Sequence, residues 1–528
     1  MNDNLIKASP KKGSSIKDAK EEIKNAIRAY SIKDKYGKYK IPIDRQRPIC
    51  LIGPPGIGKT AIMEQISAEM NIGFVSYSMT HHTRQSALGL PSIQEKEFGG
   101  KTYRVSEYTM SEIIAEVYNK IEKSGFTEGI LFLDEINCVS ETLAAPMLQF
   151  LQKKEFGGHK VPDGWVIITA GNPPSELFYN KSVREFDVVT LDRIKKIVIS
   201  EDYDSWAEYA VETNVHRSVI TYLSLNSNKH FYVVENKGNE KNVVTARAWT
   251  DLSDMIYLYE ELNIPVTKAL IEQYLQKEEV ATAFSNYYEL YNEYKSDYQI
   301  DSILAGKADE KIKDRARNAE LGERTSLVGL LMAGLFNPIK NSYDLRLGIA
   351  ELASEYRTIA SNAMINKTSI KESLADEKKA VALQLEKNLE ASSITAEDEL
   401  KLRYVLSVFE EINKMLDERA TGDVSADSKL LNEDWANRKK ELIEMDKRTL
   451  VCVNNALEFA NEVNGNDKNK GKGDIALMLT TELTMNHCMS LFLAKNTSKI
   501  FLDNVQNLKV RVRMDLVDDL IKKHKLDQ

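Results

Sequence analysis

Residues 53 to 60 read Gly53-Pro54-Pro55-Gly56-Ile57-Gly58-Lys59-Thr60, which fits the pattern G-x-x-x-x-G-K-[ST]. The run before it, Ile49 to Ile52, is short, apolar and β-rich, and Ala61, Ile62 and Ile66 after it begin a helical apolar period. Strand, glycine-rich turn and helix is the context in which this pattern binds phosphate. Glycines let the backbone wrap phosphate oxygens and aim N–H groups at them, at a helix N-terminus whose dipole favours anions. Lys59 adds a point charge for the outer phosphates, and the Thr60 hydroxyl suits a magnesium ion. These eight residues with Ala61 are the expected nucleotide cradle. Average Gly usage of about 7% makes a chance match rare, on the order of one random chain of this length in a hundred.

From Pro48 to about Ser200, β-rich runs alternate with helix-length amphipathic stretches. The runs are Ile49–Ile52, Phe74–Tyr77, Ile130–Leu133, Val166–Ala170 and Lys196–Ile199. That alternation predicts a parallel sheet with crossover helices. The third run ends in Asp134-Glu135. In an open α/β sheet the carboxyl ends of the strands are where ligands bind. Asp134 is placed to hold Mg²⁺, and Glu135 to polarise an attacking water as general base. Residues 202 to 262 read as a small helical unit around a short hairpin, Phe231–Glu235 with Asn242–Thr245. From Pro265 onward apolar residues recur at three- to four-residue spacing, as in Leu402, Val405, Leu406, Phe409, Ile412 and Leu416 after the expected cap Thr395. Residues 464 to 474 lack any large apolar side chain and are the best linker candidate.

Composition sets outer bounds. The chain has 528 residues, is 42% apolar and 28% charged, and carries a net charge of −8. That excludes collagenous, wholly disordered and disulfide-dense classes. The longest apolar run, Leu327 to Phe336, is too short to span a bilayer. Cys50, Cys138, Cys452 and Cys488 are isolated, and the N-terminus lacks an apolar signal region, so a cytoplasmic, reduced setting is expected. Residues 1 to 40 carry a balance of +6, leaving −14 on the remainder. This leader is expected to hold a helix, with Ile16, Ala19, Ile23, Ala26, Ile27 and Tyr30 at helical spacing after Ser14 and Ser15. The acidic balance argues against a nucleic-acid-coating protein.

These motifs, with the segments after them, resemble the AAA+ ATPases, and within them the MoxR group. Thr169-Ala170-Gly171-Asn172-Pro173 resembles the group's sensor-1 strand end, which implies that Asn172 senses the outer phosphate and orients water. Leu191-Asp192-Arg193-Ile194 resembles the segment carrying the inter-subunit arginine finger; Arg184, close by before Glu185-Phe186-Asp187, could equally reach a neighbour's γ-phosphate, with Arg193 favoured by family position and Arg184 as a second inter-subunit contact. Thr245-Ala246-Arg247-Ala248 resembles the sensor-2 segment, whose arginine contacts nucleotide; the family usually has Pro where Ala246 stands. The resemblance covers roughly residues 40 to 260. It implies ATP and Mg²⁺ as ligands, sheet order 5-1-4-3-2, a homo-hexameric ring, and a protein client, with a von Willebrand factor A domain protein as partner.

Two Gly-Gly turns, Gly99-Gly100 and Gly157-Gly158, sit between alternating residues and predict tight hairpins. They fall where the helix-2-insert branch of the family places pore-facing hairpins. Met79 to Pro91 would be the first pore loop; it lacks the aromatic-apolar-Gly motif of unfoldases, which argues against processive threading. No third ligand accompanies His81 and His82, so a metal site is not expected there. Tyr287, Tyr288, Tyr291, Tyr294 and Tyr298 share mainly one helical face and are expected in a helix–helix core.

The expected organisation is a basic leader and helix over 1–45, an α/β P-loop core over 46–200, a helical lid over 201–262, and a large all-α extension over 263–528. The expected function is ATP-driven remodelling, activation or assembly of protein clients. A nucleic-acid-dependent motor and a nucleotide-gated scaffold are the alternatives.

Overall fold

The structure is a computed structural model that describes residues 13–81, 87, 89–173, 186–237, 240–464 and 474–507. Arg184, residues 82–86 and 88 of the expected pore loop (His82 among them), nearly all of the linker candidate and the leader before Gly13 lie outside those residues. The chain divides into two compact units. One comprises Met1–Ser205, Val234–Arg247 and Ala380–Glu399; the other comprises Trp206–Val233, Ala248–Lys379 and Leu400–Gln528.

The first unit is built on a parallel sheet of β1 (Ile49–Ile52), β2 (Gly73–Ser78), β5 (Gly129–Asp134), β8 (Trp165–Gly171) and β9 (Lys195–Val198). The order β2-β5-β8-β1-β9, read from the far edge, is the expected 5-1-4-3-2. Every pairing is parallel. β1 and β8 are buried along their whole length, which is why their sequences are continuous apolar runs without alternation. Ile49 and Leu51 pack on one face with Ile62, Met63 and Ile66 of helix Lys59–Met70 and with Ala19, Ile23 and Ile27 of helix Ile16–Ser31. Cys50 and Ile52 pack on the other with Ile113, Ile114 and Val117 of helix Glu112–Ser124 and Leu143, Met147 and Phe150 of helix Glu141–Lys153. The leader helix starts where Ser15 accepts from the Asp18 amide at 3.1 Å.

Both edges of this sheet are met by distant segments. Beside β9, the Ser14 amide donates to Val198 O at 2.9 Å and the Ser200 amide to Ser14 O at 3.2 Å. Beside β2, the Phe74 amide donates to Ala391 O at 3.2 Å. Such contacts keep edge strands from pairing with other chains.

The Gly-Gly turns close two antiparallel hairpins, β3 (Pro91–Phe98) with β4 (Lys101–Tyr108), and β6 (Glu155–Phe156) with β7 (His159–Lys160). Gly99 and Gly100 have φ of 58° and 77°, the left-handed pair a two-residue turn requires. A third hairpin joins β10 (Val233–Lys237) to β11 (Glu240–Val244), close to the expected positions.

The second unit is helical. Leu327, Leu331, Leu335 and Ile339 of helix Leu321–Asn366 pack with Val453, Leu457 and Ala460 of helix Val424–Val463 and Leu479 and Leu483 of helix Ile475–Met485. Arg346 and Ser342 share the buried carboxylate of Asp446 across the two long helices. The tyrosines lie on helix Glu278–Tyr298 and form an aromatic core: Tyr288, Tyr291 and Tyr298 are buried, and Phe284 packs on Tyr222 and Trp249. Their hydroxyls are bonded, Tyr287 to Thr221 (2.7 Å) and Ser326 (2.9 Å), Tyr288 to Glu260 (2.9 Å) and Tyr298 to Glu323 (2.9 Å). Among the described residues no helix is long and apolar enough to cross a membrane.

Candidate nucleotide-binding site

The glycine-rich loop turns from the end of β1 into helix Lys59–Met70. Gly58, the helix N-cap, has φ of 90°, and Gly56 has φ of 74°; only glycine holds such conformations without strain. A Cβ at Gly58 would project into open space, whereas one at Gly56 would come within 2.7 Å of Thr245. Gly56→Ala therefore meets both a strained φ and a collision. It should cost about 1–3 kcal/mol of stability and open the loop, read by denaturant unfolding and nucleotide titration.

Lys59 is 8% exposed. Its ammonium donates to Gly53 O at 2.8 Å, Pro54 O at 2.9 Å and Asn172 Oδ1 at 3.1 Å. Burial lowers its pKa from 10.5 to about 8; the charges of Asp134 and Glu135 oppose that fall and Arg247 adds to it. A loop whose lysine is held by its own carbonyls can release that cation to an incoming anion. The Thr60 hydroxyl donates to Asp134 Oδ2 at 3.1 Å, a hydroxyl and a carboxylate of the kind that can hold a hard cation. Among the described residues no group of three or more His, Cys, Asp or Glu could hold a metal.

Glu135 follows β5 in a left-handed conformation, φ 56°. Its amide donates to Asp134 Oδ1 at 2.8 Å, and its Oε2 accepts from Ser78 Oγ at 3.0 Å and Thr80 Oγ1 at 2.8 Å. Two hydroxyls thus fix a carboxylate at the sheet's C-terminal edge. Asn172, just past β8, is held by Asn137: its amide donates to Asn137 Oδ1 at 3.2 Å and its carbonyl accepts from Asn137 Nδ2 at 2.7 Å. Gly171 is small for this reason, since a Cβ there would lie 2.5 Å from Asn137 Oδ1.

Sequence reasoning missed Ser78, Thr80 and Asn137. A usable signal existed for the first, because Ser78 ends the second strand as Asp134 ends the third, and the two are register partners. The Arg247 amide donates to Gly56 O at 3.2 Å, and its side chain is exposed. Arg193 ends helix Val188–Arg193, capped by Asp187 accepting from the Thr190 amide at 2.7 Å. It is exposed, and among the described residues it makes no hydrogen bond or ion pair with the groups above. Val188, Val189 and Leu191 of the same short helix are also exposed, Val188 at 81%.

Residues 49–191 match the ATPase family associated with various cellular activities (AAA). This segment is an AAA ATPase-family domain, and it contains the loop, Asp134, Glu135, Asn172 and the beginning of the Arg193 segment. Lon protease 2 of Borreliella burgdorferi is 30% identical over 125 residues, 24% of this chain and 13% of that protein. Lon protease 1 of Hydrogenovibrio crunogenus is 29% identical over 147 residues, 26% of this chain and 16% of that protein. The chain thus matches only a small part of these relatives' length. A solved protein of Cytophaga hutchinsonii overlaps 46% of this chain and 80% of its own at 14% identity, with a TM-score of 0.22, too slight a likeness to carry an argument.

Proposed function

We propose that this chain is a MoxR-like AAA+ ATPase that hydrolyses ATP in an oligomeric ring, most simply a homo-hexamer, to remodel, activate or assemble a protein client. The supporting observation is that two hydrogen-bonded groups, Lys59 with Asn172 and Thr60 with Asp134 and Glu135, meet at the consecutive residues Lys59 and Thr60. The loop from Gly53 to Ala61 cradles the phosphates, and Lys59 moves from its carbonyl partners to the phosphate oxygens. Thr60 and Asp134 would hold Mg²⁺, which when bound neutralises phosphate charge. Glu135, fixed by Ser78 and Thr80, takes the proton of the attacking water, which the Asn172 amide orients. Arg247 supplies sensor-2 charge from the start of the lid.

The exposed Arg193 in its apolar surround has the character of a residue completed by another copy of the chain, with Arg184 as second contact. In this reading 46–200 is the engine, 201–262 the lid, and 263–528 the module that selects a client in the cytoplasm, with a von Willebrand factor A domain protein as partner. Mixing tests the ring. Arg193→Ala and Glu135→Gln subunits are each expected to be inactive alone. Mixed rings should recover some turnover, because an intact Glu135 site can then meet an intact Arg193 from its neighbour. No recovery at any ratio, with mixed assembly verified, would remove the trans role.

A further inference from the structure

Helices Ile370–Glu390 and Ala396–Arg419 are joined by a short turn whose residues belong to the same compact unit as the parallel sheet. The turn is fitted to that unit: Ala391 is fully buried, Ser393 is 2% exposed, and Ser392 takes the left-handed φ of 52°. Three elements meet it. The Phe74 amide of β2 donates to Ala391 O at 3.2 Å and the Lys120 ammonium of helix Glu112–Ser124 to Glu390 O, while the Ser67 hydroxyl of helix Lys59–Met70, which donates to Ile72 O at 2.6 Å, lies 3.4 Å from Ser392 O. Lys120 is drawn into a half-buried position there, and burial lowers its pKa.

Two of these elements carry the candidate site at their other ends. β2 ends in Ser78, which with Thr80 holds the Glu135 carboxylate. Helix Lys59–Met70 begins with Lys59 and Thr60. A strand bonded along one side to β5 and pinned on its free side at Phe74 has little freedom to slide. Released from the pin, its C-terminal end could shift against Asp134 and Glu135. The lysine loop has its own anchors at Gly53, Pro54 and Asn172, so it depends on the turn less.

We propose that the turn Glu390–Ser393 is a positioning segment for hydrolysis: by pinning β2 it sets Ser78 and Thr80, and through them Glu135. The inference rests on the ATPase reading above. The competing role is a plain edge cap that only prevents pairing with other chains.

The test uses the full chain and three variants. Ala391→Glu places a carboxylate where a methyl is buried, Lys120→Met removes the ammonium donor while keeping bulk, and Lys120→Arg restores a donor. Turnover of Mg·ATP, binding of a fluorescent ATP analogue, and amide exchange at Phe74 are read on each. Ala391→Glu is expected to lower kcat about tenfold and Lys120→Met about threefold, with analogue affinity within about twofold of the parent. Phe74 exchange should accelerate in both, and Lys120→Arg should return kcat to the parent value. Faster exchange with unchanged kcat would leave a mere edge cap and overturn the proposal, as would unchanged exchange in both disruptive variants. Absent turnover in the parent chain, seen before any variant, would sink the ATPase reading and this inference with it.

Discussion

Glu135→Gln is expected to lower ATP turnover about a thousandfold while leaving nucleotide binding nearly intact, the range that loss of a general base produces. The substitution is nearly isosteric, and its amide oxygen can still accept from the Ser78 and Thr80 hydroxyls that hold Oε2 at 3.0 and 2.8 Å. What it removes is basicity at the atom proposed to take the proton. The left-handed backbone at residue 135, φ 56°, is as open to Gln as to Glu, so the fold should be untouched. ATP-bound assemblies should accumulate, and the proteins retained on them would identify the client. Turnover within tenfold of the parent would remove Glu135 from the role of base. Repeating the assay with DNA or RNA separates the rival motor, since strong stimulation would favour a nucleic-acid substrate over a protein one.

Lys59→Met should weaken nucleotide binding about a hundredfold, because a buried charge-assisted contact to phosphate is replaced by an apolar chain of similar length. It carries a second signature in the nucleotide-free protein. The folded-state pKa, about 8, lies below the ordinary 10.5, so the unfolded chain binds more proton between those values. The burial cost is therefore fully present below about pH 8 and is relieved as pH rises toward 10.5, by up to about 3 kcal/mol for a shift of this size. Denaturant unfolding from pH 7.5 to 10 should show that rise in the parent relative to Lys59→Met. Binding runs the other way: above about pH 8 the parent must take up a proton to bind phosphate, and affinity should fall. Equal affinity of parent and variant, or parallel stability profiles, would contradict a buried phosphate-binding lysine.

Much of the first unit was legible because its signals are contiguous. β1 was readable to the residue, since a strand buried on both faces needs an unbroken apolar run, which ends here at a glycine with no room for a Cβ. The loop's turn into a helix and the places of Asp134 and Glu135 were readable for the same reason: left-handed glycines stand together in sequence, and carboxylates fall where a buried strand ends. The Gly-Gly hairpins followed from the left-handed φ that their turns demand. The tyrosine face was correctly read as core, but its individual bonds, such as Tyr287 to Thr221 and Ser326, were not visible from spacing.

The sequence by its own pattern determined the five-strand alternation, the glycine-rich turn into a helix, and the places of Lys59, Asp134, Glu135 and Asn172 at the strand ends. Tertiary structure decided how those residues are held. Glu135 meets Ser78 only because β2 and β5 are neighbours, and Asn172 meets Asn137 only because β5 and β8 are. Phe74 finds its partner at Ala391, on a turn far along the chain in a helical segment with no β signal. Backbone groups carry no label for a distant partner, so which edge a turn caps depends on the folded surface and cannot be read from local pattern.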